Sequence, residues 1–287
     1  MEYETFHVEA MPTLTSPVFI IGFRGWGNAL EVSAGMATYL VDTLMGVPAG
    51  RIDADRCYRY DENRPVVKID AGRMTSLSAP GGRFYAIKTN PGENDLMIMI
   101  ADEPHLNWHR FSRELVDWAQ QTGSPAMITL GSMFDNVLHT DQMMSTVATG
   151  REFEGAFNRH RVMPINYHGP SAIHTLILDA CRKQALTGAS LWCHCPAYLQ
   201  GIVHHGMMHA LARLLMDMAG FSLTTDALEN RWEALEVQIQ ALITANPKIE
   251  EIMDQIRRKK RDGARQNLGS SGSEHGNIIN LKDFLEP

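Results

Sequence analysis

The chain has 287 residues, with 26 Lys and Arg against 33 Asp and Glu and a formal net charge of -7; no basic face is announced, which argues against nucleic acid as a partner. At roughly 100 to 200 residues per domain, the length suits one large domain or a domain with an appendage. Four cysteines make no disulfide framework, MEYETFHVEAMP lacks the basic and apolar regions of a secretory leader, and no run reaches the ~18 apolar residues of a membrane span, so a cytoplasmic protein with reduced thiols is expected.

In chain order, PVFIIGF at 17–23 is an apolar, branched and aromatic run that predicts a buried strand. The segment NALEVSAGMATYLVDTLMG then shows helical spacing at Leu30, Ala34, Ala37, Leu40, Val41 and Leu44, with Asn28 in N-cap position. Between 52 and 90 the runs RCYRYD, PVVKID, RMTSLS and RFYAIK alternate and are broken by Pro, Gly and Asn, which predicts antiparallel strands or hairpins beside the main sheet. DLMIMIA at 95–101 predicts a second buried strand, followed by the helix NWHRFSRELVDWAQQTG. The unit recurs: strand 125–133, helix 168–188, strand 189–199 and helix 203–220. Buried strands alternating with amphipathic helices imply an α/β class chain, a three-layer α/β/α sandwich on a mainly parallel sheet.

Beyond this unit, apolar positions at Leu228, Trp232, Leu235, Ile239 and Leu242, and after Pro247 at Ile249, Ile252, Met253 and Ile256, predict a helical appendage. Residues 262–277 have the small polar composition of a linker. The expected division is an α/β/α domain over 12–225, a helical appendage over 226–262, and a flexible linker and tail over 263–287.

Ligands of such sheets gather at the carboxyl ends of the parallel strands. That rule selects Arg24, Trp26, Gly27 and Asn28 after the first strand, then Asp102, Glu103, Pro104 and Trp108, then Ser132, Asp135 and Asn136. The first of these loops reads G-x-x-G-x-G, which is neither the dinucleotide spacing nor a phosphate-binding P-loop. It leaves two readings open: an anion met by Arg24 and backbone N–H groups, or a structural corner.

WCHCP at 192–196 offers zinc-type ligands, yet strand alternation sends Cys193 and Cys195 to one face and His194 to the other. In HHGMMH, His205 and His209 lie four apart, but Gly206 stands where a metalloprotease needs its glutamate. No metal is expected at either place. There is no G-x-S-x-G elbow. His139, with Thr140 and beside Asp135 and Asp141, is the best acid–base candidate by position.

Taken together, FIIGFRGWGNAL, IDADRCYRYDENRPVVKID, DLMIMIADEPHLNWHRF, MITLGSMFDNVLHT and HGPSAIHTLILDACRKQALTGASLWCHCPAYL resemble the proteasome assembly chaperone 2 family, bacterial branch, in unbroken order from about residue 15 to about 245. The resemblance covers Gly22, Gly25, Trp26, Asn28, Arg64, Pro65, Glu103, Pro104, Trp108, Gly131, His139, Thr140, Gly169 and Pro170. It implies a sandwich similar to nucleoside phosphorylases, C-terminal helices, and self-association, often as trimers. Archaeal members dock the proteasome through a hydrophobic-Tyr-any tail, whereas this sequence ends Leu285, Glu286, Pro287, which speaks against that route. Some relatives carry an ATP-grasp or carboxylate-amine ligase label, for which no magnesium or ATP residues can be picked out.

The expectation is therefore a non-catalytic homo-oligomeric assembly chaperone or scaffold with an unidentified protein partner, no cofactor and no metal. The alternative is an enzyme or small-ligand sensor using a strand-end pocket formed by Arg24, Trp26, Asn28, Glu103, Trp108, His139 and Thr140.

Overall fold

The computed structural model describes residues 3–245, 251, 253–255, 257 and 258. The linker and tail expected over 263–287, and most of the apolar stripe expected after Pro247, lie outside the described residues. The chain opens with β1 (Phe6–Val8) and β2 (Val18–Arg24), a 3-10 turn at Ala29–Glu31, then α1 (Val32–Thr43), β3 (Val47–Ile52) and the short α2 (Ala54–Cys57). Next come β4 (Val66–Asp70), β5 (Arg73–Ser78), β6 (Gly82–Ile87), β7 (Leu96–Asp102), α3 (Trp108–Gln121) and β8 (Ala126–Asp135). The chain continues through β9 (Met144–Ala148), α4 (Glu154–His160), β10 (Met163–Pro164), α5 (Ile173–Lys183), β11 (Thr187–Pro196), α6 (His205–Ala219) and α7 (Asp226–Ala245).

Among the described residues, nine strands form one sheet in the order β1-β3-β6-β7-β2-β8-β11-β9-β10, and β4 pairs with β5 in a separate two-stranded sheet. The centre, β7-β2-β8-β11, is parallel. One flank, β1-β3-β6, is antiparallel to its neighbours, and on the other β9 runs antiparallel to β11. Because strand side chains alternate, β2 feeds two cores. Ile20 joins Ile98, Ile128, Leu130 and Leu191 beneath α1 and α6. Phe19, Ile21 and Phe23 join Met97, Met99, Phe111, Leu115, Ile173 and Ile177 beneath α3 and α5. A sheet buried on both faces explains the uninterrupted apolar runs and makes the three-layer sandwich. In the second core, the Trp118 ring lies 4.9 Å from Phe84, 5.3 Å from Phe6 and 5.6 Å from Phe19, which ties edge strand β1 and its flank strand β6 to α3 and the centre.

Several boundaries differ from the sequence pattern for local reasons. Leu30 and Glu31 take φ values of 51° and 60°, so α1 begins only at Val32; Asn28 still serves its first turn, since Asn28 Oδ1 accepts from the Ala34 amide at 3.0 Å. α5 begins at Ile173 after an extended stretch containing Pro170, and β11 begins at Thr187 because it pairs with β8 over ten residues. In α7, Leu228, Ile239 and Ile243 are buried, while Leu242, expected on the apolar stripe, is only half-buried. Trp232 of α7 stacks on His204 at 4.6 Å and sits over Gly206, where a Cβ would fall 2.5 Å from its ring.

Candidate functional site

The carboxyl ends of β2 and β7 meet at one rim of the sheet. Arg24 and Asp102 are register partners there, and Arg24 Nε donates to Asp102 Oδ1 at 2.8 Å. Asp102 does more than pair. Its Oδ2 accepts from the Gly81 amide at 2.9 Å, its carbonyl accepts from the Tyr58 hydroxyl at 2.7 Å, and its own amide donates to the Gly81 carbonyl at 2.8 Å. Burial, reinforced by the Asp102 charge, pushes the Tyr58 phenol up, so it stays a neutral donor. Gly82 lets this approach happen, because a Cβ there would lie 2.3 Å from that of Ala101.

The loop after β7 is pinned as tightly. The amides of His105 and Leu106 donate to the Cys57 carbonyl at 2.8 and 3.0 Å. The Trp108 indole donates to the Pro104 carbonyl. Glu103 Oε1 accepts from the Ile173 amide at 2.9 Å, placing a carboxylate at the start of α5, where the helix dipole favours it.

Around these residues lies a cavity of about 460 Å³ bordered by Arg24, Trp26, Arg59, Glu62, Asp102, Glu103, Leu106 and Trp108. Three carboxylates there face two guanidinium groups, and the guanidiniums are already engaged: Arg24 by Asp102, and Arg59 by Asp61 at 2.8 Å and Glu62 at 2.7 Å. Trp26 is 68% exposed and Leu106 40% exposed, an apolar lip over a charged wall.

Of the seven residues selected from the sequence, Arg24, Trp26, Glu103 and Trp108 border this cavity, and Asn28, His139 and Thr140 do not. Asn28 spends its side chain on α1 and its backbone on a bridge to Ser132. His139 lies on the other side of the sheet, buried under α7, with its amide and Nδ1 at 2.6 and 2.9 Å from the Tyr198 hydroxyl and its ring 6.2 Å from Trp232. Burial holds His139 below the ordinary imidazole range. Thr140 is exposed on the same loop. The loop after β8 turns toward the α6 and α7 layer, away from the cavity.

Cys193 and Cys195 face the first core and are fully buried, and burial pushes the Cys195 thiol up to about 12. His194 points to the opposite face. There it joins a constellation that the sequence did not reveal: His194 Nδ1 lies 2.7 Å from Asp135 Oδ2, and Nε2 lies 2.9 Å from Ser145 Oγ. The hydrogen bond from His194 holds the Asp135 carboxyl below its usual range. Ser, His and Asp in this order have the connectivity of an acyl-transfer triad. Ser145, however, is fully buried, and a nucleophile must be reachable. The network works instead as a tie across β8, β11 and β9. No group of three or more His, Cys, Asp and Glu placed to hold a metal occurs among the described residues, nor is any helix among them long and apolar enough to cross a membrane.

The hairpin expected from PVVKID and RMTSLS is present as β4–β5; its exposed apolar face is what the sequence pattern hid. Every residue of both strands is exposed. The register pairs Val67 with Leu77 and Ile69 with Met74, and the shift between Lys68 and Ile69 leaves Thr75 as the extra residue. That bulge matters: without it, Met74 and Leu77, three apart, would point to opposite faces. With it, Val67, Ile69, Met74 and Leu77 form one apolar face, while Lys68, Asp70 and Arg73 lie on the other.

A profile described as the PAC2 family matches residues 19–243. No curated protein matches the chain. Among solved structures, a Corynebacterium glutamicum protein of unknown function is 18% identical with a TM-score of 0.81, covering 92% of this chain and 99% of its own. A Mycobacterium tuberculosis proteasome-assembly chaperone homologue is 22% identical with a TM-score of 0.74, covering 82% and 99%. A Pyrococcus furiosus archaeal proteasome activator is 18% identical with a TM-score of 0.64, covering 84% and 99%. At these identities the structural likeness establishes the fold.

Proposed function

The chain belongs to the PAC2 family, and from that premise we propose that it works without catalysis, as an assembly chaperone or scaffold that holds protein chains, its own copies among them. The observation that carries this reading is the apolar face of β4–β5. Four aliphatic side chains there are 47 to 66% exposed, and a two-stranded hairpin without a third strand or a packed layer is marginal in water. A contiguous apolar surface on a polar stem marks a protein contact. The paired ionic groups of the strand-end cavity favour the same reading, since among the described residues Arg24, Arg59, Glu62, Asp102 and Glu103 are each engaged with another group. Proteasome-type subunits, to which the descriptions of two relatives point, are the first partners to try in a cytoplasmic setting. No cofactor enters this account.

Size-exclusion chromatography with light scattering tests it. The wild type is expected as an oligomer, and Ile69→Asp with Leu77→Asp as a folded monomer with the wild-type circular dichroism spectrum and a lower melting temperature, since assembly stabilises the native state by mass action. A wild type that is monomeric and crosslinks to no proteasome-type subunit overturns the reading.

A second reading, a small-ligand sensor, is favoured by the size of the cavity, which falls within the range of ligand sites, and by the terminal nitrogens of Arg24, which have no partner among the described residues. Thermal-shift measurements with nucleosides, phosphate and nucleotides, with Arg24→Ala as control, test it; no shift from any class ends it.

A further inference from the structure

A second cavity, of about 510 Å³, lies between α1, β3 and β6 and shares only Arg24 and Asp102 with the first. Part of its rim is Ala79, Pro80 and Gly81, by which the hairpin arm returns to the sheet. Arg51 of β3 and Arg83 of β6 both border it, and they are register partners. Side chains directly opposite on antiparallel strands start about 5 Å apart, and like charges so placed repel. Nothing among the described residues resolves that conflict. Arg51 Nε comes no closer than 3.9 Å to Glu9 Oε1, and the Arg83 guanidinium has no hydrogen-bond or ion-pair partner among the described residues. Of the two carboxylates in the wall, Asp102 is taken up by Arg24 and the Gly81 amide. The other, Asp42 of α1, closes no ion pair among the described residues.

We infer that this second cavity binds a small phosphate monoester, its phosphate between Arg51 and Arg83 and its hydroxylated body toward Asp42 and Tyr85. The charges left unanswered select the ligand. Planar guanidinium forks take phosphate oxygens two at a time, and a monoester carries close to two negative charges at neutral pH, so it answers both arginines where a carboxylate would answer one. Asp42 sets the other end. A carboxylate only accepts hydrogen bonds, so it takes a ligand hydroxyl and repels a second phosphate. Between the two ends the wall is apolar, with Val41 and Ile100 buried and Tyr85 half-buried, and the volume falls within the range of small-molecule sites. The inference stands on this cavity alone and does not depend on how the β4–β5 face is used.

Isothermal titration calorimetry of the full chain at constant ionic strength tests this with ribose 5-phosphate, inorganic phosphate and ribose. Ribose 5-phosphate is expected to bind most tightly, inorganic phosphate more weakly and ribose not at all. Arg51→Gln and Arg83→Gln change exposed positions, and each is expected to weaken ribose 5-phosphate roughly tenfold or more, as the loss of a hydrogen bond to a charged group does. Asp42→Asn should weaken ribose 5-phosphate and not inorganic phosphate. Melting without ligand is a second readout: Arg83→Gln removes the repulsion with Arg51 and should melt at or slightly above the wild type. No binding of either phosphate overturns the inference, and so does equal affinity for the two, which would leave the body of the ligand without a role. A clearly lower melting temperature for Arg83→Gln also overturns it, since the guanidinium would then be engaged within the chain. Binding that Arg83→Gln leaves intact and Arg24→Ala abolishes overturns it too, and assigns the ligand to the strand-end cavity, which Arg83 does not border.

Discussion

Arg24 Nε and Asp102 Oδ1 lie 2.8 Å apart, joining the last residues of two adjacent parallel strands. The same carboxylate holds the Gly81 amide, so the rim of the sheet and the base of the hairpin share one acceptor group. Asp102→Asn keeps the shape but leaves a single amide oxygen for two donors. The expected result is a loss of about 1 kcal/mol at the arm base, read as roughly fivefold faster hydrogen exchange or trypsin cleavage between residues 59 and 83, with the rest of the sheet unchanged. Uniform loosening of the whole chain would show that Asp102 is not specific to the arm.

Gly22 of the FIIGF run is a packing glycine. A Cβ there would lie 2.7 Å from both the Ala37 Cβ and the Ser33 carbonyl oxygen, so Gly22→Ala must push α1 off β2. A destabilisation of about 1 to 3 kcal/mol is expected in urea unfolding. Gly155→Ala is the contrast, because Gly155 is on the exposed side of α4 and its nearest neighbour is the flexible end of Arg159 at 3.4 Å. It should be neutral or stabilising by up to about 1 kcal/mol. Equal losses at both positions would refute the packing account.

What was legible in the sequence follows from this difference between local and distant causes. The runs FIIGF, LMIMIA and AMITL announce strands buried on both faces because burial leaves no room for a polar residue. The strand-end rule places Arg24, Trp26, Glu103 and Trp108 at one rim because each follows its strand directly. His139 lies five residues beyond the apolar part of β8, far enough for the loop to turn to the other layer, and no local pattern encodes that direction. The contact between His194 and Ser145 depends on β9 lying antiparallel beside β11, a pairing between residues 41 to 49 positions apart in the chain. The bulge at Thr75 likewise turns RMTSLS from an alternating strand into half of an apolar face.

The Asp135, His194 and Ser145 network gives a negative prediction with a sharp readout. With Ser145 fully buried, a fluorophosphonate probe should leave the native protein unlabelled. His194→Ala should remain unlabelled and lose about 1 to 3 kcal/mol, because two polar side chains lose their shared partner. Stoichiometric labelling of the wild type that Ser145→Ala abolishes would mean the site opens and is a working nucleophile.

The histidines beneath α6 and α7 set a pH limit on stability. Burial, with smaller repulsion from His139 and His205, lowers His204 to about 4. In the unfolded chain it titrates near the ordinary value, about 6.5. The folded state thus binds fewer protons between these values, so stability is full above about pH 6.5 and falls as the pH drops toward about 4, by up to about 3 kcal/mol for this group. His174, buried and also lowered to about 4, adds a loss of the same sign. His204→Asn separates the two. The His204 ring accepts from the Met207 amide at the start of α6, and asparagine is a good N-cap that does not titrate. Urea midpoints measured from pH 7.5 to 4.5 should therefore fall less steeply for His204→Asn than for the wild type, by about one proton at the midpoint of the range. Parallel curves would show that His204 is protonated without cost and that its stack on Trp232 does not depend on a neutral ring.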